Sequence, residues 1–119
     1  MSERVLKPMQ RPPVDDALIQ EIVRKIVAAF NPRRIILFGS RARGDQRGDS
    51  DLDLFIEMES ELHPVRRRTQ IRALFWPPPC AMDLLVYTPR EVAERQNVVG
   101  SIVRTILRGG KTLYERPGA

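Results

Sequence analysis

Several common chemistries are excluded by what this chain has little of. Cys80 is its one cysteine and His63 its one histidine. A single thiol rules out an internal disulfide and a cysteine-based zinc site, and the lone imidazole has no second histidine with which to build a metal cluster or a triad. The apolar neighbours of Cys80 make it read as a buried, inert thiol. Aromatic residues are only 6% of the chain, and none interleaves with basic residues as a single-strand stacking platform requires, so nucleic acid is not supported as a partner. There is no apolar run of membrane-spanning length and no signal-peptide pattern, which predicts a soluble cytoplasmic protein with no membrane partner. Lysine is scarce as well, three against seventeen arginines, and the net charge of +5 favours phosphate-bearing ligands or an acidic protein partner.

What is present suits one globular domain. The 119 residues are 42% hydrophobic, enough for a single core. Residues 1–14 carry three prolines, scattered charge and no periodicity, and read as a mobile tail ahead of a domain over residues 15–116.

The most informative stretch is residues 35–57. Ile35 to Phe38 is a four-residue apolar run of the kind that forms a strand buried on both faces. Gly39-Ser40 stops it, and Gly44 closes a G-S-x-x-x-G segment. Chain turning sharply off a strand presents successive backbone N–H groups, a concavity that binds phosphate. Gly39 lets backbone approach a ligand and the Ser40 hydroxyl adds a donor. The turn also positions Arg41 and Arg43, one of which is expected to meet a triphosphate. A second strand starts at Asp51, with Asp51 and Asp53 on one face and Leu52, Leu54 and Ile56 on the other. Residues 41–50 are too few for a parallel crossover, so the two strands should run antiparallel and bring the turn beside the two acids. Two carboxylates at next-but-one positions repel each other, and Mg²⁺ relieves this by binding one or two carboxylates together with substrate phosphates. Residue types and spacing therefore suggest metal-dependent transfer from a nucleoside triphosphate. Asp45 and Asp49 are explained by turn chemistry.

Around this stretch the pattern alternates. Leu18, Ile19, Ile22, Val23, Ile26, Val27 and Phe30 form one helical stripe, started by Asp15 or Asp16 and stopped by Asn31-Pro32. Arg33 and Arg34 are expected to be solvated. A helix is predicted from Leu62 to Phe75, with Leu62, Val65, Leu74 and Phe75 inward and Arg66, Arg67, Arg68 and Arg72 on a solvated face. His63 stands at its start, and Trp76-Pro77-Pro78-Pro79 breaks it into an extended connection. A third strand follows over residues 81–87, in which Asp83 is a carboxylate among apolar residues. It needs a cation or the strand's exposed mouth. The connection from the second strand is long enough for parallel pairing, which brings Asp83 to the same edge as the other acids. Thr88-Pro89-Arg90-Glu91 is a helix start with a capping box. Val99, Ile102, Val103, Ile106 and Leu107 form a further amphipathic run ended by Gly109-Gly110, and Leu113 to Glu115 suits a short edge strand.

The joined pattern resembles the DNA polymerase β-like nucleotidyltransferases, and within them the minimal nucleotidyltransferases. Gly39, Ser40, Gly44, Asp51 and Asp53 fill the places of that family's signature, with Ser50 and the flanking strands in agreement. The resemblance implies an α/β fold, a small mixed β-sheet packed with helices, like the palm of polymerase β. It implies Asp51, Asp53 and Asp83 as catalytic and metal-binding carboxylates for Mg²⁺, as two ions. Gly39, Ser40, Arg41, Arg43 and Gly44 would hold the nucleotide, with ATP as substrate and pyrophosphate leaving. Larger relatives carry further domains that grip the acceptor, whereas this sequence stops after the catalytic unit, so the acceptor is expected to come from another chain. Relatives of this type are paired with a small helical HEPN-class protein, which implies an antitoxin that transfers AMP to a toxin. The alternatives are a small-molecule nucleotidyltransferase, working as a homo-oligomer, and a non-catalytic module that masks its partner.

Overall fold

The computed structural model describes residues 14–44 and 51–118. Residues 1–13 of the predicted tail, and Asp45, Asp49 and Ser50, lie outside them. The first helix, α1 (Asp16–Phe30), forms where its apolar stripe predicts. The Asp15 carboxylate accepts from the Leu18 N–H at 2.9 Å, satisfying one of the donors that a helix start leaves over. Asn31, left-handed at φ 48°, ends it. There follow β1 (Arg34–Phe38), α2 (Ser40–Arg43), β2 (Leu52–Glu57), α3 (Pro64–Arg72), β3 (Met82–Tyr87), α4 (Pro89–Arg95), α5 (Ile102–Gly109) and β4 (Lys111–Glu115).

The strands make one mixed sheet in the order β3-β2-β1-β4. β1 is antiparallel to β2 and to β4, and β2 is parallel to β3; the short connection over residues 41–50 requires the first of these directions and the long one between β2 and β3 allows the last. Ile35, Leu37, Leu52, Leu54, Ile56, Leu84 and Val86 pack on one face against Ile19, Ile22 and Ile26 of α1 and Ile71 of α3. Ile36 and Phe55 pack on the other against Val92 of α4 and Val103 and Ile106 of α5. Phe55 also stacks on Tyr87 with ring centroids 5.6 Å apart. With helices on both faces, β1 and β2 are central, which explains the unbroken apolar run at Ile35 to Phe38.

The flanking helices depart from the sequence reading. The predicted helix 62–75 is shorter, Pro64–Arg72, and starts on His63, whose Nδ1 accepts from the Val65 N–H at 3.3 Å. Val65 faces solvent, whereas Arg67, read as part of a solvated face, is buried. Its guanidinium donates to both carboxylate oxygens of Glu91 at 2.8 and 3.2 Å, and to the carbonyls of Leu62 at 2.8 Å and Val86 at 3.2 Å. Arg72 Nη1 donates to the Met82 carbonyl at 3.0 Å. Ala81 and Tyr87 turn their carbonyls toward β2, so those of Met82 and Val86 point to the open side of β3. Two arginines of α3 therefore close an edge that is otherwise ready to pair with another strand.

Arg33 and Arg34, read as solvated, both meet the buried Glu57, with Nε–O separations of 3.8 and 2.8 Å. Neither Nε is aligned for a hydrogen bond, so these are ion pairs held by proximity. The amphipathic run near the C-terminus is interrupted: Gly100, at φ 86°, separates α4 from α5. Val99 is 83% exposed and Ile102 48%, rather than buried.

Candidate active site

The site begins where β1 runs out. Gly39 has φ 78° and ψ −156°, a combination essentially confined to glycine. The chain then closes one turn, α2, in which the Arg43 N–H donates to the Gly39 carbonyl at 3.3 Å. Gly44, left-handed at φ 79°, ends that turn. The sequence reading described a phosphate-binding turn without this helix. A four-residue helix has no periodicity to betray it, and it directs the first N–H groups from Ser40 onward out of the end of β1.

Gly39 is glycine for a second reason. A Cβ there would overlap Asp53 Oδ2 and stand 3.0 Å from its Cγ. The turn therefore lies directly against a carboxylate, as the antiparallel pairing predicts. The register sets out a row across the sheet: Phe38 opposite Asp53 on β2, and Asp53 opposite Asp83 on β3. All three are on the face covered farther along by α4 and α5, because Phe55 and Leu85, two residues on, belong to that face. Asp83 is exposed at the mouth of β3, and Asp51, just ahead of β2, is exposed as well.

The electrostatics follow from this row. The Asp53 carboxyl is raised above its ordinary pKa of 3.8, first by burial and then by the negative charges of Asp83 and Asp51, while Arg41 and Arg43 pull it the other way. Arg41 is buried, and its Nη1 donates to the Val14 carbonyl at 3.0 Å. Arg43 is exposed on α2. Among the described residues no three Asp, Glu, His or Cys side chains converge closely enough to hold a metal ion unaided. The edge offers instead two in-register carboxylates beside the turn, and Mg²⁺ is commonly held by one or two carboxylates together with substrate phosphates. The residues fit a cation that completes its coordination with substrate, and the repulsion felt by Asp53 is what such a cation relieves.

Residues 19–76 match the family model described as a nucleotidyltransferase domain. That segment runs from α1 past α3 and contains Gly39, Ser40, Gly44, Asp51 and Asp53; Asp83 lies beyond it. No curated protein matches the chain. A solved structure described as a candidate nucleotidyltransferase, from Sulfolobus solfataricus, superposes with a TM-score of 0.62 over 87% of this chain and 82% of its own, at 21% identity. At that identity the likeness concerns the fold, which in this chain is a mixed four-stranded sheet with five helices among the described residues.

Two features of the site left no mark in the sequence reading. Gly109-Gly110 was legible as a helix stop, but Gly110 also packs on β1, where a Cβ would overlap Ile36 and stand 3.0 Å from the Leu37 carbonyl. Next to that contact, α5 and α2 enclose a hollow of about 280 Å³ that reaches Gly39. Its walls come from segments that are distant in sequence. The one local hint was Ile102 and Ile106, spaced for a helix face.

Proposed function

We propose that this protein is a Mg²⁺-dependent nucleotidyltransferase that moves a nucleoside monophosphate, AMP from ATP, to a hydroxyl of a partner protein. One observation carries the chemistry: Asp53 and Asp83 stand in register at the strand mouths, with Gly39 packed against the Asp53 carboxylate. Phosphate donors and paired acids thus share one edge. In this reading the Gly39-Ser40 turn and the start of α2 hold the outer phosphates, and the exposed Arg43 adds charge to them. Arg41, fixed to the Val14 carbonyl, keeps a positive charge beside Asp53 and limits the repulsion between the acids.

Asp51, Asp53 and Asp83 would hold Mg²⁺, as two ions, which would supply charge stabilisation to the attacking and leaving oxygens. Asp83, the exposed acid on the outer strand, is placed to orient the acceptor hydroxyl and take its proton. The acceptor oxygen then bonds to the α-phosphorus as the bond to the pyrophosphate oxygen breaks. The acceptor half of the proposal rests on the resemblance to minimal nucleotidyltransferases, whose partner is a small helical HEPN-class protein, with this chain as antitoxin. The net charge of +5 suits an acidic partner surface.

The test is to incubate the protein with ATP, Mg²⁺ and such a helical partner, and to weigh the partner by mass spectrometry. AMP additions are expected with the wild type and none with the Asp51→Asn, Asp53→Asn double variant. Asp83→Asn should keep most nucleotide binding and lose at least about 100-fold in transfer. A partner neutralised equally well by wild type and double variant, without added mass, would establish masking in place of catalysis. Transfer to a free metabolite instead would replace the protein acceptor with a small molecule.

A further inference from the structure

We infer that the open edge of β3, between α3 and α4, is the docking surface for an acidic segment of the acceptor protein, one carboxylate of which enters among Arg67, Arg68 and Arg95. The inference rests on the protein-acceptor reading and deepens it by saying where that protein is gripped. A hollow of about 210 Å³ lies along this edge, and the three arginines line it together with a single acid, Glu91.

The three arginines are not equivalent. Arg67 is committed, because its guanidinium is divided between Glu91 and the carbonyls of Leu62 and Val86. Arg95 is held in place, with Nη1 3.4 Å from the Glu91 carbonyl and its guanidinium 5.7 Å from the centre of the Tyr87 ring. Arg68 is half-buried and meets no acceptor among the described residues. It has given up part of its hydration without a protein partner to replace it, and an incoming carboxylate supplies a charge-assisted bond in return. Three guanidiniums against one carboxylate leave the hollow positive, and Arg68 and Arg95 approach it from two different helices.

The walls select the occupant. Glu91 shows a carboxylate already seated on Arg67 here, whereas its own charge opposes a doubly charged phosphate. About 210 Å³ falls below the roughly 300–1,000 Å³ of pockets that enclose a whole small ligand, and suits one side chain. Leu85 and Tyr87 add apolar wall. Val65, three residues before Arg68 and so its neighbour on the helix, is 52% exposed and extends that apolar contact outward. A strand has no place to add, since Arg67 and Arg72 already take the Val86 and Met82 carbonyls. Recognition at this edge is therefore by side chains.

The test uses the full chain with the helical acceptor protein of the transfer assay, and follows complex formation by calorimetry separately from AMP transfer. Variants are first checked by thermal melting. Close charge pairs at interfaces couple strongly, so Arg68→Glu should weaken the complex at least about tenfold and raise the acceptor KM. It should leave kcat and the Mg²⁺-dependent binding of an ATP analogue unchanged. Arg68→Gln, which keeps most of the stem and removes only the charge, should lie between it and the wild type. Arg24→Glu makes the same change of net charge on α1 and should behave as the wild type. A complex unaffected by both Arg68 variants, or weakened equally by Arg24→Glu, would overturn the docking surface and leave transfer standing. A complex that depends on Arg68 but gains no AMP would overturn transfer to this protein and keep the surface. Wild type that neither binds nor modifies the acceptor would overturn both.

Discussion

Replacing Gly39 by alanine probes the site at the point where backbone and carboxylate touch. The residue sits at φ 78°, ψ −156°, where a side chain costs about 1–3 kcal/mol in backbone strain alone. Steric overlap adds to this: the new methyl would overlap Asp53 Oδ2 and lie 3.0 Å from Cγ, so Asp53 must turn away or β1 and β2 must separate. In a domain of this size each 1 kcal/mol moves Tm by roughly 4–8 °C, and the strain by itself should lower it by between about 4 and 24 °C. Function should fall further, because displacing a reacting group by about 1 Å costs on the order of 100-fold. Gly100→Ala is the control, with φ 86° and no atom within 4 Å of its Cβ. Melting curves without ligands, together with Mg²⁺-dependent binding of an ATP analogue, separate the two effects. Gly100→Ala should lose stability and keep binding, whereas Gly39→Ala should lose both. A folded Gly39→Ala protein with wild-type binding would refute the idea that turn and carboxylate form one site.

Other outcomes follow from the charges. A carboxyl whose pKa is raised in the folded state contributes its stability below the unfolded value, near 3.8 for Asp53, and that contribution is lost as pH rises through the folded value. Asp53→Asn should accordingly raise Tm in metal-free buffer near neutral pH, with the gain shrinking as pH falls into the ordinary carboxylate range; melts across pH show whether it does. Glu91 behaves in the opposite sense, since its hydrogen bond to Arg67 is the leading cause that lowers its pKa from 4.5, so its contribution is present above that value and lost as pH falls further. Arg67→Met should cost about 2–4 kcal/mol in urea denaturation by leaving Glu91 and two carbonyls without their donor, and should remove that acid-side loss. Combining it with Glu91→Gln should cost less than the two single changes added.

Strand directions and the site's nucleus were legible because they depend on short-range facts. The connection over residues 41–50 is too short for a crossover, and alternation on β2 puts Asp51 and Asp53 opposite Leu52 and Leu54 whatever folds around them. Buried charge is harder to read, because it depends on a partner far along the chain. Arg41 bonds to a carbonyl 27 residues earlier, and Arg67 to a carboxylate 24 residues later. Charge counting places both on the surface, and no local pattern names either partner. Yet Arg67 carried a positional signal that its charge obscured. Arg67, Ile71 and Phe75 recur at helical spacing, and Ile71 and Phe75 are core residues, so a side chain at 67 must start on the inward stripe. An arginine there is stable only if its guanidinium finds acceptors at the end of a long stem. Glu91 is held by the Thr88 capping box at the start of α4, where its Oε1 accepts from the Thr88 N–H at 2.9 Å. The same carboxylate is thereby aimed at Arg67, so a cap that begins α4 also anchors α3, which packs on the opposite face of the sheet.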